Sequence, residues 1–245
     1  FRQVKRLEQN TASNLRSIEN TAEHLIITPS EFISQAVQLR DHRISQGLVS
    51  MSIDVQDIYD EFGYGIVSAE AIHDFLLFTY SNWGTTAPSY VVLMGDGHYN
   101  PKDYYPGVQG FGRESYIPPY LSPVDPLILE TAADNRYVML VGEDNLPDMM
   151  LGRLAVNSQA EASAFVNKII AYEQEPAADW QEQVLSVADD GIFTQHAQDL
   201  LDCCLPNPYQ VQKVYLNETH ATVSAARTAI LAGINAGKLI VNYTG

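Results

Sequence analysis

Two uninterrupted apolar runs, His24-Leu25-Ile26-Ile27-Thr28 and Tyr90-Val91-Val92-Leu93-Met94, restrict the possible folds of this chain most, because a strand without a polar face must be covered on both sides. Helices on the two faces of a parallel sheet meet that demand. The sequence between the runs supplies them. Pro29-Ser30-Glu31-Phe32 opens a helix, with Thr28 or Ser30 as its N-cap and apolar residues at Phe32, Ile33, Ala36, Val37 and Leu39, and Gly47 closes it. Residues 49–55 alternate as a strand, and Ser68 caps a second helix through Ala71, Ile72, Phe75 and Leu76. The order strand, helix, strand, helix, strand predicts an α/β fold: parallel sheets flanked by helices.

Residues 95–126 are rich in Gly, Pro and Tyr and show no periodicity, so they are expected to form a long loop at the carboxyl end of a strand, where open α/β sheets bind ligands. Strands near residues 137–141 and 149–151 are predicted next, then a helix over residues 158–173. Pro176 and Trp180 mark a boundary. A second series follows: a strand over residues 184–188, a helix to Leu205, a strand over 211–215, a helix over 222–232 and a strand over 239–243. Residues 1–24 are read as an arm or linker, since their polar opening has no sustained apolar face.

The chain has 245 residues with 30 acidic and 14 basic side chains, a formal net charge of −16, so a phosphate backbone is repelled and nucleic acid is not an expected partner. The same acidity suits hard cations and salty extracellular surroundings, and it also suits plain solubility. No apolar run approaches the roughly 18 residues of a membrane span, so no membrane insertion is expected. Residues 1–6 lack the apolar segment of a signal peptide, which places any targeting segment outside the chain. Cys203 and Cys204 are neighbours, a spacing that rarely meets disulfide geometry, and in their helical pattern they are expected as small buried residues with unactivated thiols. Serine-hydrolase, zinc-peptidase and phosphate-loop motifs are absent, and Gly95-Asp96-Gly97-His98 lacks the glycine spacing of a dinucleotide site.

Two acidic segments can carry chemistry. In Val141-Gly142-Glu143-Asp144-Asn145-Leu146-Pro147-Asp148, Asp144 and Asp148 can converge on one hard cation while the carbonyls of Val141 and Leu146 fill further positions, which is calcium chemistry; a solvated turn is the alternative. Asp189-Asp190-Gly191 follows a strand, and its carboxylates either solvate a loop or orient a histidine. His98 and His196 have no cysteine neighbour in sequence and are read as ordinary.

Seven separated motifs bear on the question together: Ala22-Glu23-His24-Leu25-Ile26-Ile27, Tyr59-Asp60-Glu61-Phe62-Gly63-Tyr64-Gly65, Gly95-Asp96, Asp134-Asn135, Gly152-Arg153-Leu154, Lys168 with Tyr172-Glu173, and Asn242-Tyr243-Thr244-Gly245. With these the chain resembles the gingipain family of cysteine peptidases from about Leu25 to its last residue. The resemblance implies two adjacent caspase-like α/β subdomains, residues 25–178 and residues 179–245, the second incomplete. It implies hydrolysis of protein or peptide substrates through a cysteine-histidine dyad. The histidine directly follows the Asn-Tyr-Thr-Gly strand, so both dyad members are expected beyond Gly245 and the chain alone is expected to be inactive. Asp190, ahead of Asp189, is the implied acid orienting that histidine. Structural calcium is implied at Val141, Asp144, Leu146 and Asp148, and a secreted or cell-surface location is implied as well. The alternatives are a sortase-like transpeptidase of the same fold and a catalytically inactive scaffold or adhesion module.

Overall fold

β1 (His24–Thr28) is buried along its whole length, as a strand apolar on both faces must be. This computed structural model describes residues 11–84, 87–101, 104–107, 112–125, 129–142 and 144–245. A 3-10 turn (Ser30–Phe32) leads from β1 into α1 (Ile33–Ser45), and β2 (Ser50–Asp54) is followed by α2 (Val55–Phe62), α3 (Ala69–Asn82) and β3 (Tyr90–Met94). Then come β4 (Leu121–Asp125), β5 (Leu129–Ala132), a 3-10 turn (Asp134–Val138), β6 (Met150–Leu154) and α4 (Gln159–Gln174). The sheet is parallel in the order β2-β1-β3-β6, with β4 and β5 forming a separate antiparallel hairpin.

Side-chain alternation splits the core of this first unit, Phe1–Glu173, between the two faces of the sheet. Leu25, Ile27, Val91 and Leu93 pack against Ile58 and Tyr59 of α2 and Ile72, Phe75 and Leu76 of α3. Ile26 and Met94 turn the other way, onto Phe32, Leu39 of α1 and Val166 of α4. Each such side chain, fully buried, contributes about 1.5–3 kcal/mol. Ser68 caps α3 by accepting from Ala71 N at 3.1 Å, as its position predicts.

Several expectations are corrected. Neither Thr28 nor Ser30 caps the first helix: Thr28 Oγ1 instead donates to Met94 O at 3.1 Å, tying β1 to β3. A short helix, α2, follows β2 directly, started by Asp54, whose carboxylate accepts from Gln56 N. The expected long loop ends early in the β4–β5 hairpin, where a register shift between Ser122 and Asp125 lets Pro123 sit in a strand without breaking a ladder. Residues 134–138 form a 3-10 turn where a strand was expected from 137, because side-chain bonds hold Asp134 there. The described part of the supposed arm is docked. Leu15 is only 7% exposed, its carbonyl accepts from Trp83 Nε1 at 3.0 Å, and Glu61 receives Leu15 N and Arg16 N.

The second unit, Gln174–Gly245, contains β7 (Gln183–Ala188), α5 (Ile192–Cys204), β8 (Gln210–Tyr215), α6 (Val223–Asn235) and β9 (Ile240–Thr244), with a parallel sheet ordered β8-β7-β9. Leu185, Val187 and Val214 pack on Ala226 of α6, while Ala188 and Tyr215 pack on Ala197 of α5. Cys203 and Cys204 depart from expectation. Both are exposed in the last turn of α5 and are joined to each other as a vicinal disulfide, because the buried face of that helix runs through Thr194 and Ala197 and ends before them. Among the described residues, no helix is long and apolar enough to cross a membrane.

Candidate functional site

An arginine in an otherwise apolar strand needs partners, and Arg153 of β6 makes five hydrogen bonds to four residues. Its Nε and Nη2 grip Asp134 at 2.6 and 3.1 Å, Nη1 donates to Gly95 O and Ile117 O at 2.9 and 3.0 Å, and Nη2 reaches Pro118 O at 3.3 Å. Tyr137 OH also donates to Pro118 O. This fork fixes the carboxyl end of β3, the chain before β4 and the turn at Asp134 against one another. The sequence holds the signal, a lone charge in an apolar strand, but the partner lies across a turn and a loop.

The acidic loop hangs from the same turn. Asp148 N donates to Val138 O at 2.7 Å, and Asp148 Oδ2 accepts from Leu140 N and Val141 N at 2.7 and 3.0 Å. Asp144 Oδ1 accepts from Leu146 N at 3.0 Å, and Asn145 Oδ1 accepts from Arg136. Glu143 lies outside the described residues. Asp144 Oδ2 and Asp148 Oδ1 take no hydrogen bond among the described residues, and Val141 and Leu146 are exposed. Hard carboxylate and carbonyl oxygens in a nonhelical loop fit calcium. No group of three or more His, Cys, Asp or Glu gathers among the described residues, so such a site depends on its carbonyls.

In the second unit the parallel register sets Ala188 at the end of β7 opposite Thr244 of β9 and Tyr215 of β8. Asp189 N donates to Thr244 O at 3.0 Å, and Asp189 Oδ1 accepts from Asp190 N at 2.9 Å. Asp190 is exposed, and its Oδ2 accepts from Asn217 Nδ2 at 2.9 Å. Gly191, at φ 68°, then turns the chain into α5, a conformation that favours glycine. Asp189 also lines a cavity of about 350 Å³ with Tyr243 and Arg227. The two acids therefore sit at the shared carboxyl end of three strands. His196 is exposed on α5, and in the first unit His98 Nε2 lies 3.0 Å from Arg113 O.

A further cluster had no role assigned from the sequence. Glu173 Oε2 receives Arg43 Nη1 at 2.6 Å, His42 Nε2 at 2.7 Å and Gln46 Nε2 at 2.9 Å. Arg43 above all, with His42 and Gln46, holds its carboxyl at about 2 against the ordinary 4.5, with burial opposing. This gives the Tyr172-Glu173 motif a physical purpose, the pinning of α4 to α1.

Three comparisons place the chain among known proteins. It is similar to the crystal structure of the Arg-specific cysteine proteinase gingipain R, with a TM-score of 0.65 and 21% identity over 93% of this chain and 48% of that one. It is also similar to dimeric latent PorU from Porphyromonas gingivalis, with a TM-score of 0.54 and 21% identity over 64% of this chain and 16% of that one. It thus spans about half or less of either structure. No curated protein sequence matches it. The profile of Peptidase family C25 matches residues 17–245, and the chain belongs to that family.

Proposed function

We propose that this chain serves a gingipain-like cysteine endopeptidase acting on proteins or peptides. In such a reaction a cysteine thiolate adds to the peptide carbonyl, and a histidine gives its proton to the leaving amine as the C–N bond breaks. Water, deprotonated by that histidine, then releases the acid from the thioester. We assign the thiol and imidazole to the portion of gingipain-like structures that this chain does not span. The observation that carries the reading is the alignment of β7 and β9. With Ala188 opposite Thr244, a residue placed just after Asn242-Tyr243-Thr244-Gly245 emerges beside Asp189 and Asp190. Asp190 is our first choice for the acid that orients the histidine, because Asn217 holds one carboxylate oxygen and leaves the other to accept; Asp189 is the second.

In the first unit, calcium held by Asp144, Asp148 and the carbonyls of Val141 and Leu146 would stiffen the loop. A secreted or cell-surface location suits a vicinal disulfide, which persists in oxidising compartments, and it suits the acidic surface. Peptidase assays on residues 1–245, and on a polypeptide carrying them through the next histidine and the cysteine-bearing strand, test the proposal. The longer polypeptide should show turnover that iodoacetamide abolishes, and Asp190→Asn should lower its kcat. Turnover by residues 1–245 alone, lost in Cys203→Ser or Cys204→Ser, would put the dyad elsewhere.

A further inference from the structure

A disulfide between neighbouring residues does little to hold a fold. The entropy that a cross-link removes from the unfolded chain grows with the loop it closes, and the bond from Cys203 to Cys204 closes the shortest loop a chain allows. Packing does not need it either. Both residues are exposed, and the buried face of α5 passes through Thr194 and Ala197 and ends short of them. Nor is the bond needed to stop the helix, because Leu205 precedes Pro206 and a residue before proline is driven out of the helical region; Leu205 is extended, at φ −99° and ψ 105°.

The bond is thus dispensable to the structure and open to reagents. Disulfides break by attack of a thiolate on sulfur, and access decides which of them react. The reduced pair also has a place in the same turn. Cys203 Sγ lies 3.5 Å from Leu200 O, an acceptor that a thiol can use and a disulfide sulfur cannot. Successive side chains of a helix diverge by about 100°, so the two sulfurs can part once reduced without moving the backbone.

We propose that Cys203 and Cys204 are a site of reversible thiol modification, opened by a small dithiol and closed again by its cyclic disulfide. One thiolate of the dithiol attacks a cysteine sulfur, the S–S bond breaks, and the other cysteine leaves as a thiolate and takes a proton. The second thiol of the reagent then displaces the first cysteine and closes the cyclic disulfide. Two electrons pass from the dithiol to the protein, and both cysteines end as thiols. The site uses neither Asp189 nor Asp190 and is not the thiol of the peptidase reading, so it stands or falls apart from that reading.

Thiol counting with a chromogenic aromatic disulfide tests this on folded residues 1–245. After oxidised dithiothreitol the count should be zero and after reduced dithiothreitol it should be two, and alternate treatments should carry it back and forth without denaturant. Phenylarsine oxide, whose arsenic exchanges its oxygen for both sulfurs and releases water, should add once to the reduced chain by intact mass. It should add neither to the oxidised chain nor to Cys203→Ser or Cys204→Ser. The reduced chain and the Cys203→Ser, Cys204→Ser double variant should melt within about 3 °C of the oxidised chain. A wider gap would make the bond structural and overturns the inference. Thiols that appear only in denaturant overturn it as well, as does a pair that oxidised dithiothreitol cannot close.

Discussion

His24 Nδ1 lies 2.7 Å from Ser50 Oγ across the first register pair of β1 and β2, and the imidazole is buried there. Burial first, and the neighbouring Arg43 charge second, lower its pKa from 6.5 to about 4.

That shift fixes a pH dependence. Between pH 6.5 and 4 the unfolded chain binds a proton at this histidine and the folded chain does not. Stability is therefore full above 6.5 and falls as the pH drops toward 4, by roughly 3 kcal/mol in total. Urea unfolding from pH 7.5 to 4 should show the fall. His24→Gln, which keeps a partner for Ser50 but cannot titrate in this range, should remove most of it; an unchanged slope in that variant would mean another group carries it.

Glu173 acts in a lower window. Its folded carboxyl sits at about 2 against 4.5, so the stability it contributes is full above pH 4.5 and is lost as the pH falls toward 2. Its side chain is 27% exposed, and screening limits the size of the effect. Near-ultraviolet melts between pH 5 and 2 should be flatter for Glu173→Gln than for the wild type. Equal acid limbs would deny the cluster its role.

What could be read from the sequence follows from locality. β1 and β3 were legible because burial on both faces leaves an unbroken apolar run, and Ser68 was legible because a cap acts within its own turn. α2 was hidden by its shortness, and by Asp54 serving both as the last residue of β2 and as the cap. The β4–β5 hairpin was hidden by Pro123, which a bulge accommodates. The turn at Asp134 depends on Arg153, and no local pattern reports a bond between distant segments. At the candidate site, the strand-end position of Asp189 and Asp190 could be read directly, whereas the tie from Asn217 to Asp190 needed the fold.

The Arg153 fork should respond to geometry more than to charge. Arg153→Met takes the guanidinium from Asp134 and from the carbonyls of Gly95 and Ile117, leaves Pro118 O with Tyr137 OH alone, and should cost on the order of 3 kcal/mol. Arg153→Lys keeps the charge, but one ammonium cannot reach the carboxylate and all three carbonyls, so most of that loss should remain. Guanidinium denaturation of both variants measures this. Full rescue by lysine would show that the pair acts only as a point-charge contact.

Calcium should stabilise residues 1–245 through Asp144 and Asp148, and the loop geometry says which readout to use. Asp148→Ala removes the acceptor of two backbone N–H groups as well as a possible ligand, so its melting temperature should fall even without metal. The informative quantity is therefore the shift between excess calcium and chelator, measured within each variant. An ion that binds only the folded state, at a hundred times its dissociation constant, adds about 2.7 kcal/mol. The wild type should show a shift of that order, and the Asp144→Ala, Asp148→Ala double variant should show none. Because Asp144 gives up only one backbone bond, that of Leu146, Asp144→Ala should lose most of the calcium shift while melting near the wild type in chelator. A wild type insensitive to calcium, or a double variant that responds equally, would leave the two carboxylates as turn-forming acceptors alone.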